Sequence, residues 1–240
     1  MKRFWDNAEF ATDGNGWRVL LDGRPVRLPG GAPLRVGGRA LAEAVAAEWQ
    51  AAGAGKGAEM SYADLPLTRL AGTAQERIAP DPEPVVLELA RYADSDLLCY
   101  RAERPEALVR RQLRQWQPWL DWAETAFGAR LHVTTGVMPV RQEARAVAAL
   151  AGAVAAHDAP ALAALGVAVP ALGSLVLGLA LAAGRLDAAG AYALATLDET
   201  FQEELWGRVD EAAARRHRIG SEVAMAGRFL ALCRAAGPDA

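Results

Sequence analysis

Between Asp158 and Arg185 the chain carries no charged residue. An uncharged span of that length either crosses a membrane, which takes about 20 consecutive apolar residues, or lies buried inside a helical body. Its own punctuation decides. Pro160, Gly166, Pro170, Gly173, Ser174 and Gly178 interrupt the span, no aromatic belt flanks it, and only Leu172 to Ala183 reads as one continuous helix. A helix that short and apolar on every side predicts the centre of a soluble bundle, with no membrane insertion. Gly184 supplies the left-handed residue that ends it, and Asp187 is placed to cap the next helix. The stretch from Ala171 to Val209 is therefore expected to form a tight antiparallel hairpin at the heart of an all-helical domain.

Turning the second helix of that hairpin by about 100° per residue puts Leu194, Leu197, Phe201, Leu205 and Val209 on one stripe, the expected core face. Glu199, Gln202, Glu203, Trp206 and Asp210 fall away from it. A Trp flanked by carboxylates on an outward face gains nothing from folding unless something covers it, either another part of the same chain or a partner.

Net charge of −3, with a pI near 5.7, argues against nucleic acid or an anionic membrane as the main partner. Hydrophobic residues make up 52% of the chain, enough for a substantial core in one large domain or two modest ones. Cys99 and Cys233 stand alone, in no metal or redox motif, and fit a reducing compartment. The opening MKRFWDNAEF has no apolar export region, so a cytoplasmic protein is expected.

Two regions are predicted, giving an α+β fold class. Residues 1–62 read as a small, β-rich N-terminal α+β domain with one helix. Within WRVLLDGRPVRL, Asp22-Gly23 separates two apolar runs and marks a hairpin; Pro33 to Val36 continues as a strand. From Arg39 to Ala52 the spacing of Leu41, Val45 and Trp49 marks the helix. Residues 63–240 read as a larger all-helical domain. Leu67, Leu70, Ala71, Ala74 and Ile78 define its first helix, Asp81-Pro82 opens a second, and Pro105-Glu106 a third. On that third helix Leu113, Trp116, Leu120, Ala123 and Phe127 form the expected inward stripe, with Pro118 kinking or splitting it. An extended link over 131–140, a helix from Gln142 to Ala155 and a last one from Ser221 to Ala236 complete the reading.

Motifs for chemistry are weak. GAGKG at 53–57 lacks the first Gly and the Ser/Thr of a phosphate loop and follows a helix, so no nucleotide or other cofactor is expected. His132, His157 and His217 are scattered, and Ser174 has no Gly two residues on. Asp94 and Asp96 are the best candidate carboxylate pair, but residues two apart on a helix diverge, and capping is the expected role. Glu199 and Glu203 at i, i+4 lack the Glu-x-x-His companion of a di-metal bundle. An enzyme using these acidic residues is the alternative reading; a protein with no catalytic site and no metal is the primary one.

Five strings taken in order carry a resemblance. AVAAEWQ around Trp49, LPLTRLAGTA from Leu65, YADSDLLCYRAERPEALVRRQLRQWQPWLDWAETAFG, SLVLGLALAAGRL and LDETFQEELWG together resemble the assembly chaperones for the F1 sector of ATP synthase that attend the alpha subunit, of the mitochondrial F1 complex assembly factor 2 type. Gln117 and Gly173 depart from residues common there, Asp and Lys respectively. The resemblance implies a small α+β domain before a helical one, no catalysis and no ATP binding. It implies a monomer that holds the unassembled alpha subunit, prevents its aggregation and yields it to the beta subunit. A bacterial member would act in the cytoplasm, and eukaryotic ones in the mitochondrial matrix. It also implies a required acidic residue on the late helix, carried over here to Glu199, with Gln202 and Trp206 from the same motif.

Overall fold

The computed structural model describes residues 1–136, 138–207 and 210–235. In chain order its elements are β1 (Ala8–Asp13), β2 (Gly16–Leu21), β3 (Arg24–Pro25), β4 (Arg35–Val36), α1 (Arg39–Ala51), α2 (Pro66–Thr73), α3 (Glu83–Ala90), β5 (Tyr100–Arg101), α4 (Glu106–Phe127), β6 (Thr134–Thr135), α5 (Ala144–Ala155), α6 (Ala159–Leu172), α7 (Leu175–Ala182), α8 (Ala188–Ala195), α9 (Leu197–Trp206) and α10 (Asp210–Arg234). The class is α+β, with the main sheet near the N-terminus and helices over the rest. Two compact units result: Met1–Pro82 with Asp158–Ala164 and the chain from Arg228, and Glu83–His157 with Leu165–Gly227. Residues 63–82, read from sequence as the start of the helical part, lie in the first unit.

In the first unit β2 is the central strand, antiparallel to β1 from Ala8↔Leu21 to Asp13↔Gly16 and also paired with β3 and β4. Asp22 (φ 48°) and Gly23 (φ 76°) both adopt the left-handed conformation that a two-residue hairpin turn demands, as the Asp-Gly signal predicts. α1 packs on β1 and β2 through Leu41, Val45 and Trp49, all buried. Its C-terminal carbonyls are satisfied by a buried cation: Arg3 donates to Gln50 O (2.8 Å) and Ala52 O (3.2 Å), where the helix dipole favours positive charge. Its Glu48 does the reverse for α2, accepting from Leu67 N (2.7 Å) and Thr68 N (2.9 Å) at that helix's start. α2 continues through a π-helical turn, Ala74–Ile78, and the five residues of its predicted stripe are buried. Lys56 of GAGKG pairs with Asp6.

In the second unit α7 is buried along its whole length, the property its unbroken apolar sequence requires, and it packs on α4, α5 and α8. Its start is held by a buried polar cluster. Ser174 Oγ accepts from Leu177 N (3.1 Å) and donates to Asp96 Oδ1 (2.7 Å); Asp96 Oδ2 accepts from Val176 N (3.0 Å) and its Oδ1 from Leu98 N (3.0 Å). Burial pushes the Asp96 carboxyl up, against these hydrogen bonds, which favour the ionised form. Gly184 (φ 66°) ends the α7 segment, its N–H bonding Leu181 O (3.0 Å), and Asp187 caps α8 through Gly190 N (2.7 Å). The hairpin turn is the expected one, but the long second helix is interrupted. Thr196 leaves helical geometry (φ −107°, ψ 20°), its hydroxyl donating back to Tyr192 O (2.9 Å), and two helices result.

α4 runs through Pro118 as one helix. Its inward residues are Leu108, Gln112, Trp116, Leu120 and Ala123, while Leu113 is 57% exposed and Phe127 half-buried. Four-residue spacing back from Trp116 selects position 112, and a polar Gln is accepted there because both ends of its amide are bonded. No helix among the described residues is long and apolar enough to cross a membrane.

Candidate functional surface at the end of α9

α9 lies wholly in the second unit, with its first turns buried and its last turn at the surface. Leu197 and Phe201 are buried, and they fix the first turns. On one flank α4 supplies two ties. Gln112 accepts from Ala102 N through Oε1 (2.8 Å) and donates from Nε2 to Asp198 Oδ1 (2.8 Å). Arg111 donates twice to Glu204 (2.9 and 2.8 Å), its guanidinium 5.1 Å from the Phe201 ring centre. Such a two-pronged pair has fixed geometry as well as charge. Burial raises the Asp198 carboxyl, and the bond from Arg111 lowers that of Glu204.

The other flank faces α10. Glu199 lies 3.7 Å from Arg215, and Glu203 pairs with Arg216. Beyond Phe201, Gln202, Glu204, Leu205 and Trp206 are all exposed, Leu205 by 55% and Trp206 by 78%. Gly207 (φ 86°) stops the helix.

The expected outward face is thus divided. Gln202 and Trp206 stand free on the surface, one helical turn apart. Glu199 and Glu203 are half-covered, with their carboxylates turned to arginines of the same chain, so they are not an open acidic field. Asp210 is exposed but belongs to the next helix, α10. Leu205, expected on the core stripe, is instead a surface residue, since the break at Thr196 divides the long helix on which the stripe was drawn. Val209, the end of that stripe, lies outside the described residues. Arg111, Gln112, Arg215 and Arg216 were not singled out from sequence. The RRHR run at 215–218 signals positive charge, but its pairing with α9 is a tertiary fact.

The Asp94/Asp96 pair is split, with Asp94 exposed and Asp96 enclosed by its donors. Among the described residues no cluster of His, Cys, Asp and Glu is arranged to hold a metal ion. What α9 offers outward is an exposed indole and isobutyl group, on a helix whose Glu199, Glu203 and Glu204 each lie beside an arginine.

Comparison with known proteins places the whole chain. A family model described as ATP12 chaperone protein matches residues 2–124. The crystal structure of Atp12 from Paracoccus denitrificans is 44% identical, with a TM-score of 0.90, covering 97% of this chain and 98% of that one. The Atu1473 protein of Agrobacterium tumefaciens is 39% identical at a TM-score of 0.85, over 95% and 84% of the two chains. The mitochondrial protein atp12 of Schizosaccharomyces pombe is 23% identical over 232 residues, 92% of this chain and 77% of the relative.

Proposed function

The chain belongs to the ATP12 chaperone family, and from that premise we propose that it is an ATP-independent holder of the unassembled alpha subunit of the ATP synthase F1 sector. It covers the subunit until the beta subunit takes its place. The observation that carries this reading is the pair of exposed apolar residues, Leu205 and Trp206, at the end of α9. A subunit of an obligate ring, alone, exposes a large and partly apolar interface and aggregates unless it is covered. An aromatic anchor on a rigid helix is suited to that surface, and interface hot spots are enriched in Trp. Gln202 and Trp206 make the direct contact in this reading. Glu199, Glu203 and Asp210 frame it and favour a client surface carrying Arg or Lys.

No nucleotide step is required. Displacement follows if the native partner buries more surface than the chaperone does. The test is light scattering of purified F1 alpha subunit at a temperature where it aggregates, with the chaperone titrated in. Suppression should saturate near one chaperone per subunit, be indifferent to ATP and be reversed by beta subunit through capture of alpha. Failure to suppress at stoichiometric amounts, or a requirement for ATP, overturns the proposal.

A further inference from the structure

The first unit carries a groove that the function above does not use. It has a volume of about 450 Å³. Its floor is core: Leu21, Val26 and Trp49 are buried. Its walls are not, since Phe4 is 58% exposed and Tyr62 47%, with Met1 beside them. Of the nine large apolar side chains exposed among the described residues, three line this one groove.

Their exposure is built in. The first residues are pinned along 58–60 as an extended strand: Met1 donates its ammonium to Met60 O (2.8 Å), Met60 N bonds Met1 O (2.8 Å) and Arg3 N bonds Ala58 O (2.9 Å). Phe4 is further set edge-on to Trp5, ring centres 5.1 Å apart. The backbone thus holds an aromatic ring in water. Charge is the second observation. Arg24 and Arg27 are the charged side chains of the lining, and no carboxylate among the described residues lines it, although the chain as a whole is acidic at −3. Arg27 Nη1 donates to a neutral carbonyl, Gly31 O (2.7 Å).

From the apolar walls and the cationic rim we infer that this groove is a second client contact, taking a client segment in which an apolar side chain stands next to a carboxylate. The inference rests on the reading of the chain as a holder of the F1 alpha subunit. The apolar side chain enters between Phe4 and Tyr62, and the carboxylate meets Arg24 and Arg27 at the rim. A charge-complementary rim chiefly sets register and association rate, with its effect screened by salt.

Two measurements test it. In the first, full-length chain with Arg24→Glu and Arg27→Glu combined is titrated against purified alpha subunit beside the unsubstituted chain. Both positions are exposed, so the melting temperature should hold, while binding should weaken roughly tenfold at low salt and less at high salt. In the second, Phe4 is replaced by the photo-crosslinker p-benzoylphenylalanine and irradiated in the presence of alpha subunit. An adduct with alpha, mapping to a segment that carries Asp or Glu, supports the inference. Unchanged affinity of the double reversal with no adduct overturns it, while tight binding by the unsubstituted chain leaves the proposed function standing. An adduct between two copies of the chaperone also overturns it and makes the groove a self-association surface. If the unsubstituted chain does not bind alpha subunit at all, the proposed function fails, and this inference with it.

Discussion

Truncating Trp206 separates holding from folding. A Trp side chain buries about 150–250 Å² when fully covered, so the 78% that is exposed leaves roughly 120–200 Å² for a partner. At about 25 cal/mol per Å² that is a ceiling of roughly 3–5 kcal/mol for the contact. Truncating a central anchor commonly costs about 2 kcal/mol or more, so Trp206→Ala should weaken alpha-subunit binding by roughly thirtyfold or beyond. The covered part of the side chain, about a fifth, limits the loss of folding stability to about 1 kcal/mol. Leu205→Ala should behave in the same way, with a stability loss under about 1 kcal/mol, because Leu205 is a surface residue. Phe201→Ala is the control: that ring is 7% exposed, and its removal should cost about 3–5 kcal/mol. Binding is read by titration calorimetry and stability by urea denaturation. The reasoning fails if Trp206→Ala lowers stability as much as Phe201→Ala, or if it leaves the affinity for alpha subunit unchanged.

Asp96→Ala leaves Val176 N–H, Leu98 N–H and the Ser174 hydroxyl without their acceptor; at about 1–3 kcal/mol for each orphaned donor, offset by release of a buried charge, the net loss should be about 2–4 kcal/mol in urea denaturation. A loss below about 1 kcal/mol, or simple additivity with Ser174→Ala, contradicts that account. Asp198, raised from its ordinary 3.8 by burial, stabilises the fold fully below about pH 4 and loses that contribution as pH rises through the raised value. Asp198→Asn keeps an acceptor for Gln112 and abolishes the loss, so the melting temperature of the variant relative to wild type should climb from about pH 4 to pH 7, and a flat difference refutes the sign. Glu199→Lys sets a cation beside Arg215 and should slow association with alpha subunit, with a smaller penalty in high salt; an equal penalty at all salt concentrations removes the electrostatic argument. Calorimetry with ATP and Mg²⁺ should show no binding near physiological concentration, since Lys56 pairs with Asp6 and the loop lacks the metal-binding hydroxyl; micromolar affinity revives an enzyme.

Local rules carried the sequence reading where one residue type has one conformational use. Asp22-Gly23 demanded a left-handed pair and formed one, Gly184 and Asp187 ended and began helices, and the 67, 70, 71, 74, 78 spacing went inward. The misses share a different cause. Thr196 has no strong helix-breaking character of its own, and its hydroxyl bond to Tyr192 O interrupts a pattern that reads as continuous. Periodicity then assigned Leu205 to the core stripe, although burial on that stripe ends at Phe201 and Leu205 is exposed. The apolar Leu113 was placed on the inward stripe, whereas Gln112 is the buried residue because Ala102 and Asp198 complete its hydrogen bonds from distant positions. The candidate surface was half legible for the same reason. Helical geometry alone put Trp206 outside, but the arginines that tie down Glu199, Glu203 and Glu204 come from α4 and α10, and only the fold brings them there.

Those ties change what the late helix contributes. Three free carboxylates beside a Trp would make a strongly acidic clamp, whose charge pairs with a basic client would add to the apolar contact and slow its release. With Glu204 bonded twice by Arg111 and the other two facing Arg215 and Arg216, a client cation must compete with an arginine already in place, so much of the electrostatic gain is an exchange of one ion pair for another. In the proposed function the net attraction then rests largely on Leu205 and Trp206. An apolar contact of a few hundred Å² is small against the roughly 2,000–5,000 Å² of an obligate subunit interface. Under the proposed function, that difference of area lets the native partner displace the chaperone without nucleotide hydrolysis, and release should depend on the concentration of beta subunit. Arg215→Ala and Arg216→Ala together should therefore strengthen binding to alpha subunit and retard its capture by beta; weaker binding by this double variant would mean that the arginines position the helix and do not compete with the client.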